Sequence, residues 1–220
     1  EPKVFDEGFD IDASRRAARA EAAAQPRVPV AEVRDVDAGG VPCRLYRPDG
    51  AAPGVVVDLH GGGFVFHDVD VHDNLARSLA VRSGRAVLSV DYRLAPEHPF
   101  PAGPNDCYAT LAWIMNDAKA LGIDKNRVAM GGASAGSGMA AGVALMNRDR
   151  DNFPLQLQLL LYPMIDNLHA TSSGKLENHP VWKQSTSFNA WEMYLDGVPG
   201  EQASPYAAAT RATDLTGLPP

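Results

Sequence analysis

Residues 127–146 restrict the fold of this chain more than any other stretch. RVAMG (127–131) is typical of a short buried strand, and residues 135–146 predict a helix rich in small side chains. Between them, GASAG (132–136) has the pattern Gly-x-Ser-x-Gly. A tight turn of this kind strains the backbone of its serine and lifts the hydroxyl clear of the sheet, and flanking glycines avoid a clash between a Cβ and the neighbouring strand and helix. The pattern predicts that Ser134 is a nucleophile that attacks a carbonyl carbon.

A second motif, HGGGF (60–64), directly follows the apolar run at 54–59. Three consecutive glycines leave backbone N–H groups free to converge on one point, which is what an oxyanion hole requires. The alternatives are a flexible glycine turn and a phosphate-binding loop. A phosphate loop needs Lys followed by Ser or Thr after its glycines, whereas Phe64-Val65 follows here. Together with the serine turn, the loop favours the catalytic interpretation.

The strand patterns predict a sheet that is mostly parallel. Residues 30–37 and 41–48 alternate apolar and polar side chains, which indicates an antiparallel hairpin at a sheet edge. Short and nearly continuous apolar runs at 54–59, 86–90 and 155–162 are typical of buried parallel strands.

Helices are predicted between these strands. Residues 12–24 are rich in Ala and Arg, and residues 107–118 carry a clear apolar stripe that includes Cys107. A further helix precedes residue 86, with Leu75, Leu79 and Arg82 marking its face. The alternation of strands and helices predicts the α/β class, a mostly parallel sheet flanked by helices.

Composition excludes several functions. The 220 residues fit one domain, and the net charge of −7 argues against nucleic acid or an anionic membrane as a partner. No apolar run is long enough to span a bilayer. Two cysteines do not make a disulfide framework, so a reducing, cytoplasmic setting is favoured. Neither a metal ion nor a cofactor is expected.

Three motifs in order carry a resemblance to a known family. HGGGF, then DYRLAPEHPFPA (91–102), then GASAG resembles the hormone-sensitive-lipase-like carboxylesterases, which have the α/β-hydrolase fold. The resemblance covers roughly residues 30–220. It implies a carboxylic ester hydrolase that acts on short- to medium-chain acyl esters through Ser134 and an acyl-enzyme. It further implies that the N–H groups of Gly62, Gly63 and Ala135 are the oxyanion-hole donors. His60 and Gly61 are expected to support the loop.

The same resemblance implies a division of the chain. The N-terminal cap helix region is expected at 1–29, the α/β-hydrolase core at 30–164, a cap insertion at 165–200, and a return to the core at 201–220. The charged residues of the 91–102 run are expected to hold the loop beside the site rather than to react. Aromatic side chains of the cap are expected either to line an acyl pocket or to form the small core of the cap: Trp182, Phe188, Trp191 and Tyr194.

The other catalytic groups are harder to place. The family order is Ser, acid, His. Of six histidines, four precede Ser134, and His169 and His179 lie in the expected cap. Asp166 follows the strand at 155–162, but the matching Asp is not the family's catalytic acid. We therefore expect the acid and the His outside these 220 residues, with the last two strand–helix units absent.

Three explanations stay open: a truncated or clipped hydrolase, a chain completed by a second polypeptide, and a fold reused for small-molecule binding, as in the plant gibberellin receptors. A homo-oligomer is a further possible partner. In each case the apolar strand at 155–162 needs a C-terminal segment or a second chain along its edge.

Overall fold

The computed structural model describes residues 10–198 and 200–220. Helices and strands alternate through most of this part. The helices are α1 (Ile11–Ala23), α2 (Asp73–Ser83), α3 (Ala102–Asp117), α4 (Ala135–Asp149) and α5 (Gln184–Leu195). The strands are β1 (Glu32–Asp37), β2 (Pro42–Arg47), β3 (Ala52–Leu59), β4 (Arg85–Val90), β5 (Val128–Ala133) and β6 (Leu155–Leu161).

The strands form one sheet in the order β1-β2-β4-β3-β5-β6. β1 and β2 are the antiparallel hairpin predicted at the edge, and β2 is also antiparallel to β4. The pairs β3–β4, β3–β5 and β5–β6 are parallel. The carboxyl ends of β3 and β5 therefore lie at the same end of the sheet. As a result, the residues that follow Leu59 and Ala133 are neighbours.

The two faces of the sheet are covered by different helices. On one face, Val57 and Leu59 of β3 belong to the large core that also takes in α3 and α4. The opposite face holds a smaller cluster in which Val87 of β4 packs with α2. The strands β3 and β4 are buried on both faces, which explains why their sequences are almost continuously apolar.

The predicted face of α2 is right at Leu79, which is partly buried and packs against the smaller cluster, but wrong at Leu75 and Arg82. Leu75 is 49% exposed, and Arg82 is also exposed, whereas Asp73, Ala76 and Ala80 are the buried positions. The side chain of Asp73 is tolerated there because it accepts hydrogen bonds from Tyr46 Oη and Arg77 Nε. Burial on this helix therefore follows small residues and a paired carboxylate rather than the largest apolar side chains.

Helix α4 is buried along its length, from Ala135 to Asn147. Two glycines allow other segments to cross it closely. A Cβ built on Gly138 would lie 2.0 Å from the Met164 carbonyl oxygen, and one built on Gly142 would lie 2.1 Å from the Tyr206 carbonyl oxygen. The chain that leaves β6 and the chain that returns near residue 206 thus both pass over the helix that begins next to Ser134.

Strand β6 lies at the end of the sheet among the described strands. Its side chains Leu157, Leu159 and Leu161 are 38–44% exposed. The Gln158 N–H donates to the Pro220 carbonyl oxygen at 2.9 Å, and Gln158 Nε2 donates to the Pro219 carbonyl oxygen at 2.9 Å. Residues 219–220 therefore lie along β6, and the leucine-rich face beside them remains open in this chain.

Two segments lie outside the sheet and its covering helices. Helix α1 is tied to the core by Arg15, and α5 packs on the glycine loop through rings described below. The division at 1–29, 30–164, 165–200 and 201–220 stays a prediction. Its parts at residues 1–9 and Pro199 lie outside the described residues.

Candidate active site

Ser134 occupies the turn between β5 and α4, and its backbone is strained. Its φ of 55° and ψ of −118° lie outside the conformations that non-glycine residues ordinarily adopt. The surrounding chain holds this conformation: Ser134 N–H donates to the Leu161 carbonyl at 3.0 Å, and its carbonyl accepts from the N–H groups of Gly138 and Met164 at 3.0 Å. The side chain is half-buried, unlike its fully buried neighbours in the turn. These are the features that the Gly-x-Ser-x-Gly pattern predicts.

The two glycines of the motif are required by close approach to β3. A Cβ on Gly132 would lie 2.1 Å from the Leu59 carbonyl oxygen. One on Gly136 would lie 1.9 Å from the same oxygen and 2.5 Å from the His60 carbonyl oxygen. The clash expected with the neighbouring strand is therefore confirmed, and its partner is the backbone that leads into the glycine loop.

The glycine loop lies directly against the serine turn. A Cβ built on Gly61 would lie 3.0 Å from the Ala133 carbonyl oxygen and 3.6 Å from Ser134 Cβ. The loop folds back on itself, since the Gly62 carbonyl accepts from Val65 N–H at 3.0 Å and from Phe66 N–H at 2.9 Å. The two motifs, more than 70 residues apart in sequence, thus meet at the carboxyl ends of β3 and β5.

Three backbone donors at this junction have no backbone acceptor in the part of the chain that is described. The N–H groups of Gly62 and Gly63 donate to no backbone carbonyl there. Ala135 is the first residue of α4, where no carbonyl one turn earlier is available. Free donors next to a nucleophile can hydrogen-bond an oxygen that gains negative charge.

His60 is a structural part of the loop. It is 1% exposed, and its ring stacks on Tyr92 with centroids 4.1 Å apart. Its Nδ1 lies 2.8 Å from the Gly61 carbonyl oxygen, which can only accept, so Nδ1 carries the proton. Burial lowers the pKa of His60 to about 3, which keeps the ring neutral.

Behind Gly62 lies a pair of histidines. A Cβ on Gly62 would lie 2.7 Å from His67 N and 2.9 Å from His67 Cβ, and the φ of Gly62 is 115°. His67 Nδ1 in turn lies 3.2 Å from His72 Nε2. Burial lowers the pKa of both rings, that of His72 to about 4. A neutral pair in which one ring donates to the other supports this side of the loop.

Aromatic side chains of the expected cap contact the same loop from the other end. Tyr194 stacks on Phe64 with centroids 4.0 Å apart, and Trp191 lies 5.1 Å from the same ring. Both Tyr194 and Trp191 are buried and belong to the large core. Trp182 reaches Gly63, whereas Phe188 is 39% exposed and packs on His169. Trp191 and Tyr194 therefore pack in the large core of the molecule rather than in a separate small core of the cap.

The 91–102 run is held by ion pairs. Arg93 binds Asp106 of α3 through two nitrogens, with Nη2 to Oδ1 at 2.8 Å. Glu97 binds Arg15 of α1 through both oxygens, at 2.7 and 2.9 Å. This agrees with the expectation that the charged residues of the run hold a loop in place.

Arg15 is a residue that sequence reasoning missed. Besides binding Glu97, its Nε donates to the Val65 carbonyl at 2.8 Å and its Nη2 to the Ala95 carbonyl at 3.0 Å. One guanidinium therefore joins α1, the glycine loop and the 91–102 run. The Ala- and Arg-rich composition of α1 gave only a weak signal, because its three arginines look equally exposed in sequence.

No described histidine forms a hydrogen bond with Ser134 Oγ. His169 Nε2 lies 2.8 Å from Ser187 Oγ, and His179 Nδ1 accepts from backbone N–H groups of its own loop. The carboxylate of Asp166 accepts from the N–H groups of Leu168 and Ala170. These contacts assign His169, His179 and Asp166 structural roles, as the sequence interpretation favoured.

The described part of the chain also bears on metal binding and on membrane crossing. In residues 10–198 and 200–220, no group of three or more His, Cys, Asp or Glu side chains could hold a metal ion. The same residues contain no helix that is both long enough and apolar enough to cross a membrane.

A largely parallel sheet with helices on both faces, and a Gly-x-Ser-x-Gly turn at its carboxyl edge, defines the α/β-hydrolase class. Residues 56–220 match the family described as alpha/beta hydrolase fold, and the chain belongs to that family. The resemblance to hormone-sensitive-lipase-like carboxylesterases is confirmed by the relatives below.

Two proteins of Mycobacterium tuberculosis are similar in sequence. "Carboxylesterase NlhH" is 40% identical over 187 residues, which cover 82% of this chain and 58% of the relative. "Esterase LipI" is 37% identical over 229 residues, which cover 96% of this chain and 70% of the relative. The chain thus spans little more than half the length of the first of these relatives.

Solved esterases share the fold. "Bacterial Heroin Esterase" superposes with a TM-score of 0.89 at 37% identity, over 96% of this chain and 72% of that structure. A hyperthermophilic esterase from the archaeon Pyrobaculum calidifontis superposes with a TM-score of 0.86 at 35% identity, over 99% of this chain and 73% of that structure. These likenesses confirm the predicted fold class.

Proposed function

We propose that this chain is the nucleophile-bearing part of a carboxylic ester hydrolase that acts on short- to medium-chain acyl esters. The observation that carries the proposal is the strained backbone of Ser134, with a φ of 55°, next to the glycine loop. The two are so close that a Cβ built on Gly61 would lie 3.6 Å from Ser134 Cβ. The esterase names of its relatives support the reaction class.

In the proposed mechanism the ester carbonyl oxygen lies against the N–H groups of Gly62, Gly63 and Ala135. Ser134 Oγ attacks the carbonyl carbon, and the three donors stabilise the oxyanion of the tetrahedral intermediate. The intermediate expels the alcohol and leaves an acyl-enzyme, which water hydrolyses. His60 and Gly61 position the loop. The base that takes the serine proton and the acid that orients it lie outside these 220 residues.

The test compares Ser134→Ala with wild type in the full chain, by which we mean these 220 residues together with the segment that supplies the base and the acid. We expect Ser134→Ala to lose hydrolysis of p-nitrophenyl acetate by about 10⁴-fold or more and to lose labelling by a fluorophosphonate. Ser83→Ala is the matched control, because Ser83 lies in the exposed last turn of α2. Undiminished turnover in Ser134→Ala would contradict the assignment of Ser134 as the nucleophile.

Substrate class is tested on the same proteins. A series of p-nitrophenyl esters from acetate to dodecanoate measures the preference for chain length, and we expect kcat/KM to be highest among the shorter acyl chains. Matched ester and amide substrates separate an esterase from an amide hydrolase. A maximum at dodecanoate, or equal rates on the amide, would contradict the proposed substrate class.

A binding protein is the second candidate, and it is favoured by one observation: within the part described, no histidine contacts Ser134 Oγ. A receptor-like protein with this fold would bind a small molecule without turnover. It would not hydrolyse the p-nitrophenyl esters, and the fluorophosphonate would not label Ser134. Covalent labelling of Ser134 by that reagent would exclude this candidate.

Two further parts of the proposal concern setting and partners. A cytoplasmic location is supported by Cys43 and Cys107, which are buried and unpaired. A C-terminal segment, a second polypeptide or a second copy covering β6 is supported by the exposed Leu157, Leu159 and Leu161.

A further inference from the structure

The two proposed donor glycines are supported by different parts of the molecule. Gly62 is backed by His67, which belongs to the same connection between β3 and α2 and is paired with His72. Gly63 is backed by Trp182, which lies more than 100 residues later in the chain. A Cβ on Gly63 would lie 2.5 Å from Trp182 Cη2, and 3.3 and 3.4 Å from Cζ3 and Cζ2. The edge of the indole thus fills the space where a side chain on Gly63 would be.

Trp182 is presented by a short loop that is closed by its own hydrogen bonds. Gln184 N–H donates to the Leu176 carbonyl at 2.8 Å, which joins the two ends of residues 176–184. His179 Nδ1 accepts from Val181 N–H at 3.3 Å and from Trp182 N–H at 3.2 Å. Within this loop, which we name the 176–184 loop, Val181 is 82% exposed and Leu176 is 53% exposed, while the indole is half-buried.

The loop is also anchored to the start of α5. Glu177 Oε1 accepts from Ser185 N–H at 3.0 Å, and Glu177 Oε2 accepts from Ser185 Oγ at 3.1 Å. A carboxylate at a helix N-terminus is favoured by the helix dipole. Because α5 carries Tyr194, whose ring stacks on Phe64, the loop and the helix contact consecutive residues of the glycine loop.

We propose that Trp182 is a positioning residue for the oxyanion hole: the indole edge of the 176–184 loop holds Gly63, so the donor at Gly63 is correctly placed only when the cap is seated. The inference rests on the proposed function. Gly63 has a φ of 60° and no side chain, so its orientation is set by what packs against it. Removing the indole opens the face of Gly63 and lets the donor move, while the nucleophile and the other donors stay in place.

The expected effect separates the transition state from substrate binding. Misplacing a catalytic donor by about 1 Å can cost about 10²-fold in rate. In the full chain, Trp182→Ala should lower kcat for p-nitrophenyl acetate about 10- to 100-fold and change KM less than about threefold, because the donor acts on the developing oxyanion. Affinity for a trifluoromethyl ketone, which forms an oxyanion adduct with a serine, should fall by the same factor as kcat.

Two further variants keep the test independent of a folding defect. Trp182→Phe retains a flat ring but lacks the far indole atoms that lie nearest Gly63, so it should recover only part of kcat and fall between wild type and Trp182→Ala. His179→Ala keeps the indole but removes the acceptor of the Val181 and Trp182 N–H groups, and it should lower kcat in the same direction by a smaller factor. Trp113→Phe, on α3 next to Gly39, is the control and should leave kcat unchanged.

The outcomes are distinguishable. An active wild type in which Trp182→Ala keeps its kcat and its ketone affinity overturns this inference and leaves the proposed function standing. Equal losses in kcat for Trp182→Ala and Trp113→Phe also overturn it, since they report general destabilisation. A wild type that neither hydrolyses esters nor is labelled at Ser134 overturns the proposed function and this inference with it.

Discussion

At the scale of single residues, the site depends on backbone atoms that approach each other more closely than side chains allow. Ser134 is held by three backbone hydrogen bonds, one donated to Leu161 and two accepted from Gly138 and Met164. Gly136 lies against the carbonyl oxygens of Leu59 and His60. The strain at Ser134 is therefore imposed by close packing of the backbone around it.

A substitution at Gly136 tests this packing. In Gly136→Ala the new Cβ would lie 1.9 Å from the Leu59 carbonyl oxygen, so β3 and α4 have to separate. We expect the free energy of unfolding to fall by about 3 kcal/mol or more, measured by urea denaturation. Gly84→Ala is the control: Gly84 has a positive φ, 62°, which Gly136 does not, but nothing lies within 4 Å of its Cβ position, so only about 1 kcal/mol is expected. Equal losses in the two variants would contradict the packing argument.

At the scale of secondary structure elements, β6 is an edge strand that exposes apolar side chains. Its leucines at 157, 159 and 161 are 38–44% exposed, and residues 219–220 pair with it only at Gln158. An apolar strand at a sheet edge pairs readily with another strand, whereas a charge on such an edge opposes pairing.

A polypeptide ending at Pro220 is therefore expected to self-associate through β6. Leu159→Lys should shift it towards monomer in size-exclusion chromatography with light scattering. Val81→Lys places the same charge on the exposed face of α2, where Val81 is 48% exposed, and should leave the association unchanged. If both variants behave like the parent, β6 is not the surface that associates.

The sequence predicted elements better than it predicted their faces. Residues 107–118 gave the right helix and the right buried stripe for α3, because large apolar residues recur there at helical spacing. The predicted face of α2 was wrong at Leu75 and Arg82, because the buried positions of this helix are small residues and Asp73. A carboxylate is expected to be exposed, and the pairing with Tyr46 and Arg77 that allows Asp73 to be buried is not evident from the sequence pattern.

At the scale of the whole molecule, stability should depend on pH through Asp58. This residue is 5% exposed in the sheet and accepts a hydrogen bond from Ser89 Oγ at 2.8 Å. Burial raises its pKa from 3.8 to about 6. Between these values the folded state binds more protons than the unfolded state, so the contribution of Asp58 to stability falls as pH rises through about 6 and does not return above it.

Asp58→Asn tests this linkage, because the amide oxygen can still accept from Ser89. We expect the stability of the variant relative to wild type to increase by about 2 kcal/mol between pH 4 and pH 8, in urea denaturation at several pH values. Burial lowers the pKa of His60 and His72, so their contribution to the free energy of unfolding falls as pH falls. Both histidines are present in wild type and in Asp58→Asn, so this contribution cancels in the difference between the two proteins. A difference that is flat with pH would contradict the assignment.

The candidate site was predictable where it is local in sequence. Ser134 and the glycine loop are defined by short motifs whose geometry follows from a strand, a turn and a helix. Arg15 and Trp182 could not be found this way, because their contacts with Val65 and Gly63 join segments separated by 50 to more than 100 residues. Such contacts depend on how α1 and the 176–184 loop fold over the sheet, which no local pattern encodes.

The burial of α4 has a consequence for how this protein can change over time. Any side chain at Gly138 or Gly142 would collide with the carbonyl oxygens of Met164 and Tyr206, so these positions are closed to the other amino acids. The helix that follows Ser134 therefore has little freedom to accumulate substitutions. If the proposed function holds, new substrate preferences are expected to arise in the exposed 176–184 loop and its neighbours, where a mutation can alter the proposed site without breaking the backbone contacts that create it.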